Sequence, residues 1–198
     1  MAVLKELGVD FDLHEVDYDG GETKTASYRS LQPLGLIPAL GLGDGRSMFE
    51  SAAIIIYLCD RHPNANLAPS YADTERPGFL QWMLFLADTV YPSYNRYYHP
   101  ERYTDASDGS DGVKTRALSM ALKQLAVIEA HLQGNGPWLL GERFSACDIY
   151  LQMITTWHET PQDLLAGMPN IKEVCHGVTK RAACHWAIEK HNFKTGFE

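Results

Sequence analysis

Long apolar runs are missing from this 198-residue chain. No stretch approaches the roughly 20 residues that a membrane-crossing helix needs, which excludes a helical membrane protein. Cysteine is scarce: Cys59, Cys147, Cys175 and Cys184 are the whole set, and no two form a Cys-x-x-Cys pair. Such usage fits a reduced, cytoplasmic setting in which each thiol acts as a small hydrophobe. Basic residues are outnumbered, 17 Lys and Arg against 25 Asp and Glu, for a formal net charge of -8. No basic patch offsets that charge, so neither nucleic acid nor an anionic membrane is an expected partner. The N-terminus also lacks the long apolar core and cleavage pattern of a secretory signal.

What is present is ordinary for a soluble globular protein, with 45% hydrophobic and 21% charged residues. Met1 to Leu7 reads as the end of an amphipathic helix, with Val3, Leu4 and Leu7 on one face and Gly8 as its C-cap. Phe11, Leu13 and Val16 nearly alternate with Asp12, His14 and Glu15, which predicts a half-buried strand. A short helix around Thr25 to Tyr28 is closed by Pro33-Leu34-Gly35. Leu40-Gly41-Leu42 and Arg46 to Phe49 flank Gly43-Asp44-Gly45 as a hairpin, and a helix from Ser51 to His62 stops at Pro63.

Composition then marks a linker over residues 64–74, after which no strand is predicted. Helical periodicity returns in Phe79 to Leu86, Val113 to Leu132, Cys147 to Trp157 and two shorter segments after Pro169, with a loop at Asp105 to Gly112. The expected organisation is an α/β unit over 1–63 and an all-helical unit over 75–198.

Two motifs carry chemistry. Pro38 follows Ile37 between a turn and a strand, where a cis bond would turn the Ile37 backbone N–H and C=O outward as an edge for an extended peptide. Glu50-Ser51 opens an apolar helix, whose free N–H groups and positive dipole end suit a carboxylate, with the Ser51 hydroxyl as a further donor. Ser145-x-x-Asp148 has the spacing of a capping box, a folding element whose loss should cost on the order of 1 kcal/mol, more if buried.

Together, Ile37-Pro38, Glu50-Ser51 and the segment Gly136 to Tyr150 resemble the glutathione S-transferase superfamily. The resemblance implies a thioredoxin-like N-terminal domain and an all-α C-terminal domain. It also implies glutathione as co-substrate, its cysteinyl main chain on Ile37 beside Pro38, its γ-glutamyl carboxylate at Ser51 and its ammonium at Glu50. Leu36 departs from the polar or basic residue many members carry before the proline, which leaves Gln32 as a candidate for the glycyl carboxylate.

The family's first strand, with its catalytic Tyr, Ser or Cys, has no counterpart here, and the catalytic residue is unknown. Met1 falls inside a helix, and three readings stay open: an incomplete start, a rearranged and inactive domain, or a strand supplied by another chain. A thiol-disulfide reductase would need a cysteine at the start of the first helix, and none precedes Cys59.

Tyr91, Tyr94 and Tyr98 lie in a polar-aromatic segment with Tyr97, His99, Arg102 and Tyr103 that resembles the family's electrophile-pocket helix. The alternative for any one of them is interdomain or dimer packing. Cys175-His176 and Cys184-His185 would stand half a turn out of phase on a continuous helix, which argues against a metal site. The resemblance implies conjugation of the glutathione thiolate to a small apolar electrophile, in detoxification, or a related glutathione-dependent reaction, in a cytoplasmic homodimer. The alternative is a catalytically inactive binding or assembly module of the same fold.

Overall fold

Ala2–Glu6 forms the first helix, α1, with Val3 buried against the core. Gly8, at φ 66, turns the chain off its end, and the Val9 N–H donates to the Leu4 carbonyl at 3.2 Å. The structure, a computed structural model, describes residues 1–197.

The strand expected over Phe11 to Val16 does not form. Extended backbone becomes a strand only with a ladder partner, and among the described residues the one sheet is two-stranded and lies elsewhere in the chain. The side chains of this segment meet the C-terminal helix instead. Phe11 sits edge-on to Trp186 at 6.3 Å, the Lys5 ammonium lies 4.8 Å from the Trp186 ring centroid, and Glu15 pairs with Lys190 at 2.5 Å.

Thr25 caps α2, Ala26–Leu31, its Oγ1 accepting from the Tyr28 N–H at 3.2 Å. The buried Tyr28 donates its hydroxyl to the Leu36 carbonyl at 2.9 Å. Gly35 must be glycine, because its φ is 66 and a Cβ there would stand 2.5 Å from the Thr23 carbonyl oxygen. Strands β1, Ala39–Gly41, and β2, Ser47–Phe49, pair antiparallel with Leu40 opposite Met48, and Leu42 N–H donates to Arg46 C=O at 2.9 Å to close the expected hairpin. Helix α3, Ser51–Arg61, follows directly and ends before Pro63.

The following segment is held firmly for a stretch of linker composition. Arg76 donates to both Asp60 oxygens at 2.7 and 2.9 Å and to the Pro69 carbonyl at 3.0 Å. Arg143 reaches back to Asp73 at 3.0 Å, Asn66 at 2.7 Å and the Ala68 carbonyl at 3.0 Å. Bidentate and multiple guanidinium contacts of this kind fix two segments in register.

The helix expected over Phe79 to Leu86 is longer on both sides. It starts as α4, Arg76–Leu84, widens into a π turn over Phe85–Val90, and continues as α5, Tyr91–Tyr98. The long α6, Ser110–Asn135, begins inside the segment expected as loop. Helix α7, Ala146–Thr155, runs through the core, with Leu151 and Ile154 fully buried beside Met83, Leu86, Leu125 and Ile171. Helix α8, Pro161–Ala166, was not expected, although Thr160 at its N-cap, a proline at the first helical position and Asp163 in the first turn mark its start.

Helix α9, Pro169–Thr179, and α10, Ala182–His191, are separate. The phase comparison of Cys175 with Cys184 therefore has no single helix to rest on, and both thiols are buried. Among the described residues no group of three or more His, Cys, Asp or Glu could hold a metal ion, and no helix is long and apolar enough to cross a membrane.

Helices α1 and α10 are joined by a bidentate ion pair, Arg181 Nε and Nη2 to the Glu6 carboxylate at 2.8 and 2.7 Å, with the guanidinium 4.0 Å from the Phe144 ring centroid. The Glu6 side chain is nearly buried, at 10% exposure. Arg181→Met is expected to lower stability by about 2 kcal/mol, because it leaves a desolvated carboxylate unpaired. Glu6→Gln in the same chain should recover part of the loss in urea unfolding; equal loss in single and double variants would contradict the ion-pair account.

Candidate functional site

The hairpin brings the two N-terminal motifs together. Ala39 pairs with Phe49, and one further step in the same register sets Pro38 level with Glu50. The Ile37–Pro38 bond is cis, Ile37 is 55% exposed beside it, and Glu50 is exposed at the start of α3. Glu50 holds φ 72 and ψ 105, a positive φ that costs a non-glycine residue about 1–3 kcal/mol. Such strain persists where the surroundings impose it, and here it directs the chain from β2 into α3, whose first-turn N–H groups have no acceptor within the helix.

Ser51 Oγ lies 2.7 Å from the Tyr150 hydroxyl, which α7 supplies two residues after Asp148. Burial pushes the Tyr150 phenol up to about 12, against the opposing effect of the Ser51 hydrogen bond, so it stays protonated. With Tyr150 donating to Ser51, the serine proton is free for another acceptor. No sequence signal marked Tyr150 for this contact, which depends on how α7 packs against α3.

Beside this cluster a cavity of about 310 Å³ is lined by Tyr91, Tyr94, Asn95 and Tyr98 of α5, by His99, and by Thr156 and Trp157 beyond α7. The α5 residues share one helical face by their i, i+3, i+4, i+7 spacing. Tyr91 and Tyr94 meet the Trp157 ring edge-on at 4.7 and 6.4 Å, and Tyr98 donates its hydroxyl to the Trp157 carbonyl. Burial, and secondarily the negative charge of Glu50, raise the Tyr91 pKa. Tyr91 thus lines the cavity and also feels the carboxylate at the head of α3.

All three tyrosines singled out from the sequence line this cavity. Asn95 was not among the residues singled out, although its i+4 spacing from Tyr91 could have found it; Thr156 and Trp157 had no such signal. Gln32 does not serve as expected: it is buried, and its Oε1 accepts the Leu36 N–H at 2.9 Å, so it supports the loop before Pro38 from within. Leu36 itself is 42% exposed.

No cysteine belongs to the site. All four are buried free thiols; burial pushes Cys59, Cys175 and Cys184 up to about 12 and Cys147 well above its ordinary value. At about pH 8 the native protein should resist iodoacetamide for as long as the unfolded protein needs to label fully, since the thiolate is the reactive form. One fast-reacting thiol in the folded state would contradict this.

The comparisons with known proteins match this arrangement along the chain. The family description "Glutathione S-transferase, N-terminal domain" matches residues 1–61, and "Glutathione S-transferase, C-terminal domain" matches residues 94–181. The chain is 25% identical to the glutathione S-transferase GstA of Escherichia coli O157:H7, over 96% of this chain and 92% of that protein. It is 26% identical to the disulfide-bond oxidoreductase YfcG of Escherichia coli K12, over 94% of this chain and 87% of the relative. Among solved structures, the ternary complex of BphK, a bacterial glutathione transferase, superposes with a TM-score of 0.82 at 28% identity, covering 96% of this chain and 92% of that one. A sphingomonad glutathione S-transferase complexed with glutathione gives 0.80 at 26% identity, over 96% and 92%. The two domain matches and the fold agree: a thioredoxin-like domain followed by an all-helical domain makes this chain a member of the glutathione S-transferase superfamily.

Proposed function

We propose that the chain binds glutathione on Ile37, Pro38, Glu50 and Ser51 and joins or exchanges its thiol with a second, ring-bearing compound held in the tyrosine-lined cavity. The observation that carries this is the hairpin that sets the cis Ile37–Pro38 bond level with Glu50 at the head of α3, where Ser51 Oγ lies 2.7 Å from the Tyr150 hydroxyl of the helical domain. The exposed Ile37 backbone suits the cysteinyl main chain of a tripeptide. The first turn of α3 and the Ser51 hydroxyl, oriented by Tyr150, suit the γ-glutamyl carboxylate, and Glu50 suits the ammonium. The glycyl carboxylate has no dedicated side chain in this scheme, because Leu36 is apolar and Gln32 is used inside the loop.

Thiolate is the attacking species in glutathione chemistry, and a neutral donor near the sulfur favours it. Tyr91, kept protonated by burial at the junction of the two sites, is the donor in this scheme. The domain division at 1–63 and 75–198 fits the same picture, with the glutathione site on the first unit and the cavity on the second.

Assay with reduced glutathione and 1-chloro-2,4-dinitrobenzene tests the reaction. Glutathione-dependent formation of the thioether with release of chloride is expected. No turnover by a protein that still binds glutathione would favour the alternative, a binding module of the same fold.

A further inference from the structure

Helix α6 leaves one face open along its first half. A groove of about 700 Å³ runs along that face, bounded by Asp111, Lys114, Leu118, Leu122 and Lys123 of α6 and by Tyr97 of α5. From Asp111 to Lys123 the helical rise gives about 18 Å, a trough long enough to seat another helix. Asp111, Thr115, Leu118 and Leu122 stand at i, i+4, i+7 and i+11, the spacing of a seam between two helices. Leu122 is 37% exposed, and Asp111, Lys114 and Lys123 are exposed with no hydrogen bond or ion pair among the described residues. None of these residues belongs to the proposed glutathione site or to the tyrosine cavity.

We propose that this face is an interface with a second copy of the chain, the two α6 helices packing antiparallel about a two-fold axis between Thr115 and Leu118. Leu118 of each copy then meets Thr115 of the other, and Asp111 of each meets Lys123 of the other. The argument for a second copy is charge: the stripe carries an unpaired carboxylate at one end and an unpaired ammonium at the other, so the face is complementary to itself. Turned parallel, the same face would set Asp111 against Asp111 and Lys123 against Lys123, so the charges also select the orientation. Leu118 and Leu122, with the Tyr97 ring beside them, supply the apolar middle. A patch this small gives weak, reversible association. The pairing does not depend on glutathione binding.

Charge exchange tests the pairing, with association followed by sedimentation velocity across a dilution series. Asp111→Lys alone sets lysine against lysine, and Lys123→Asp alone sets aspartate against aspartate; each should weaken self-association about tenfold. A one-to-one mixture of the two variants sets lysine against aspartate at both ends and should associate within about twofold of wild type. Recovery in the mixture also excludes misfolding of either variant as the cause of its loss, and both side chains are exposed. Wild-type association that neither variant changes would overturn the proposal. So would variants that weaken association without recovery in the mixture. A wild-type chain with no association step to weaken would overturn it as well, and would leave the groove to a different occupant.

Discussion

Asp148→Ala is expected to reduce the unfolding free energy by about 4 kcal/mol, well beyond the loss of an ordinary exposed cap. The sequence alone suggested a capping box; the structure adds two features that enlarge its effect. Ser145 and Asp148 are both fully buried, and the Asp148 carboxylate accepts three hydrogen bonds: the Ser145 N–H at 2.7 Å, the Ser145 hydroxyl at 3.1 Å and the Leu139 N–H at 2.9 Å. Alanine would strand two buried backbone donors at once, in a helix that passes through the core. Urea unfolding with an unchanged slope measures the loss; a decrease below about 1 kcal/mol would mean that the donors find water or other acceptors.

The same carboxylate sets a pH dependence. Burial raises the Asp148 pKa to about 6, against the lowering effect of the three donors. Since the native state then holds a proton that the unfolded chain releases, this group stabilises most below the ordinary aspartate range and loses that contribution as pH rises through about 6. Relative to Asp148→Asn, which does not titrate, wild-type stability should therefore decline between about pH 4 and 7. A flat difference would contradict a raised pKa.

Ser51→Ala should weaken glutathione binding about tenfold, and Glu50→Ala by a similar or larger factor. In the proposed site Ser51 would supply a hydroxyl donor to a charged carboxylate, a bond stronger than a neutral one, and Glu50 would face the ligand's ammonium. Tyr150→Phe should produce a smaller loss, about threefold, because Ser51 would lose the hydrogen bond that orients it while keeping its own proton for the ligand. Unchanged affinity in Ser51→Ala would remove the head of α3 from the site.

The parts of this molecule that were legible in the sequence are those decided by near neighbours. Glu50-Ser51 before an apolar run, Ile37-Pro38 after a turn and Ser145-x-x-Asp148 all express local chemistry, and each takes the local structure expected of it. Alternation from Phe11 to Val16 misled because pairing is not local: the pattern describes a strand that could form, and no neighbouring strand meets it. Trp157, Thr156 and Tyr150 escaped notice for the converse reason. Their roles arise from contacts with Ser51 of α3 and Tyr91 of α5, made by α7 and the residues just after it, and nothing in the residues around them announces those contacts. Gln32 shows a third limit, since a polar residue beside a candidate site can be spent on the backbone that shapes it.

The most direct test of the central claim is calorimetric titration of the chain with reduced glutathione. Saturable one-to-one binding that is weakened in Ser51→Ala is the predicted result, and it would tie the Ile37–Ser51 hairpin and the α3 terminus to the tripeptide. Absence of binding by a protein that still melts cooperatively would contradict the claim.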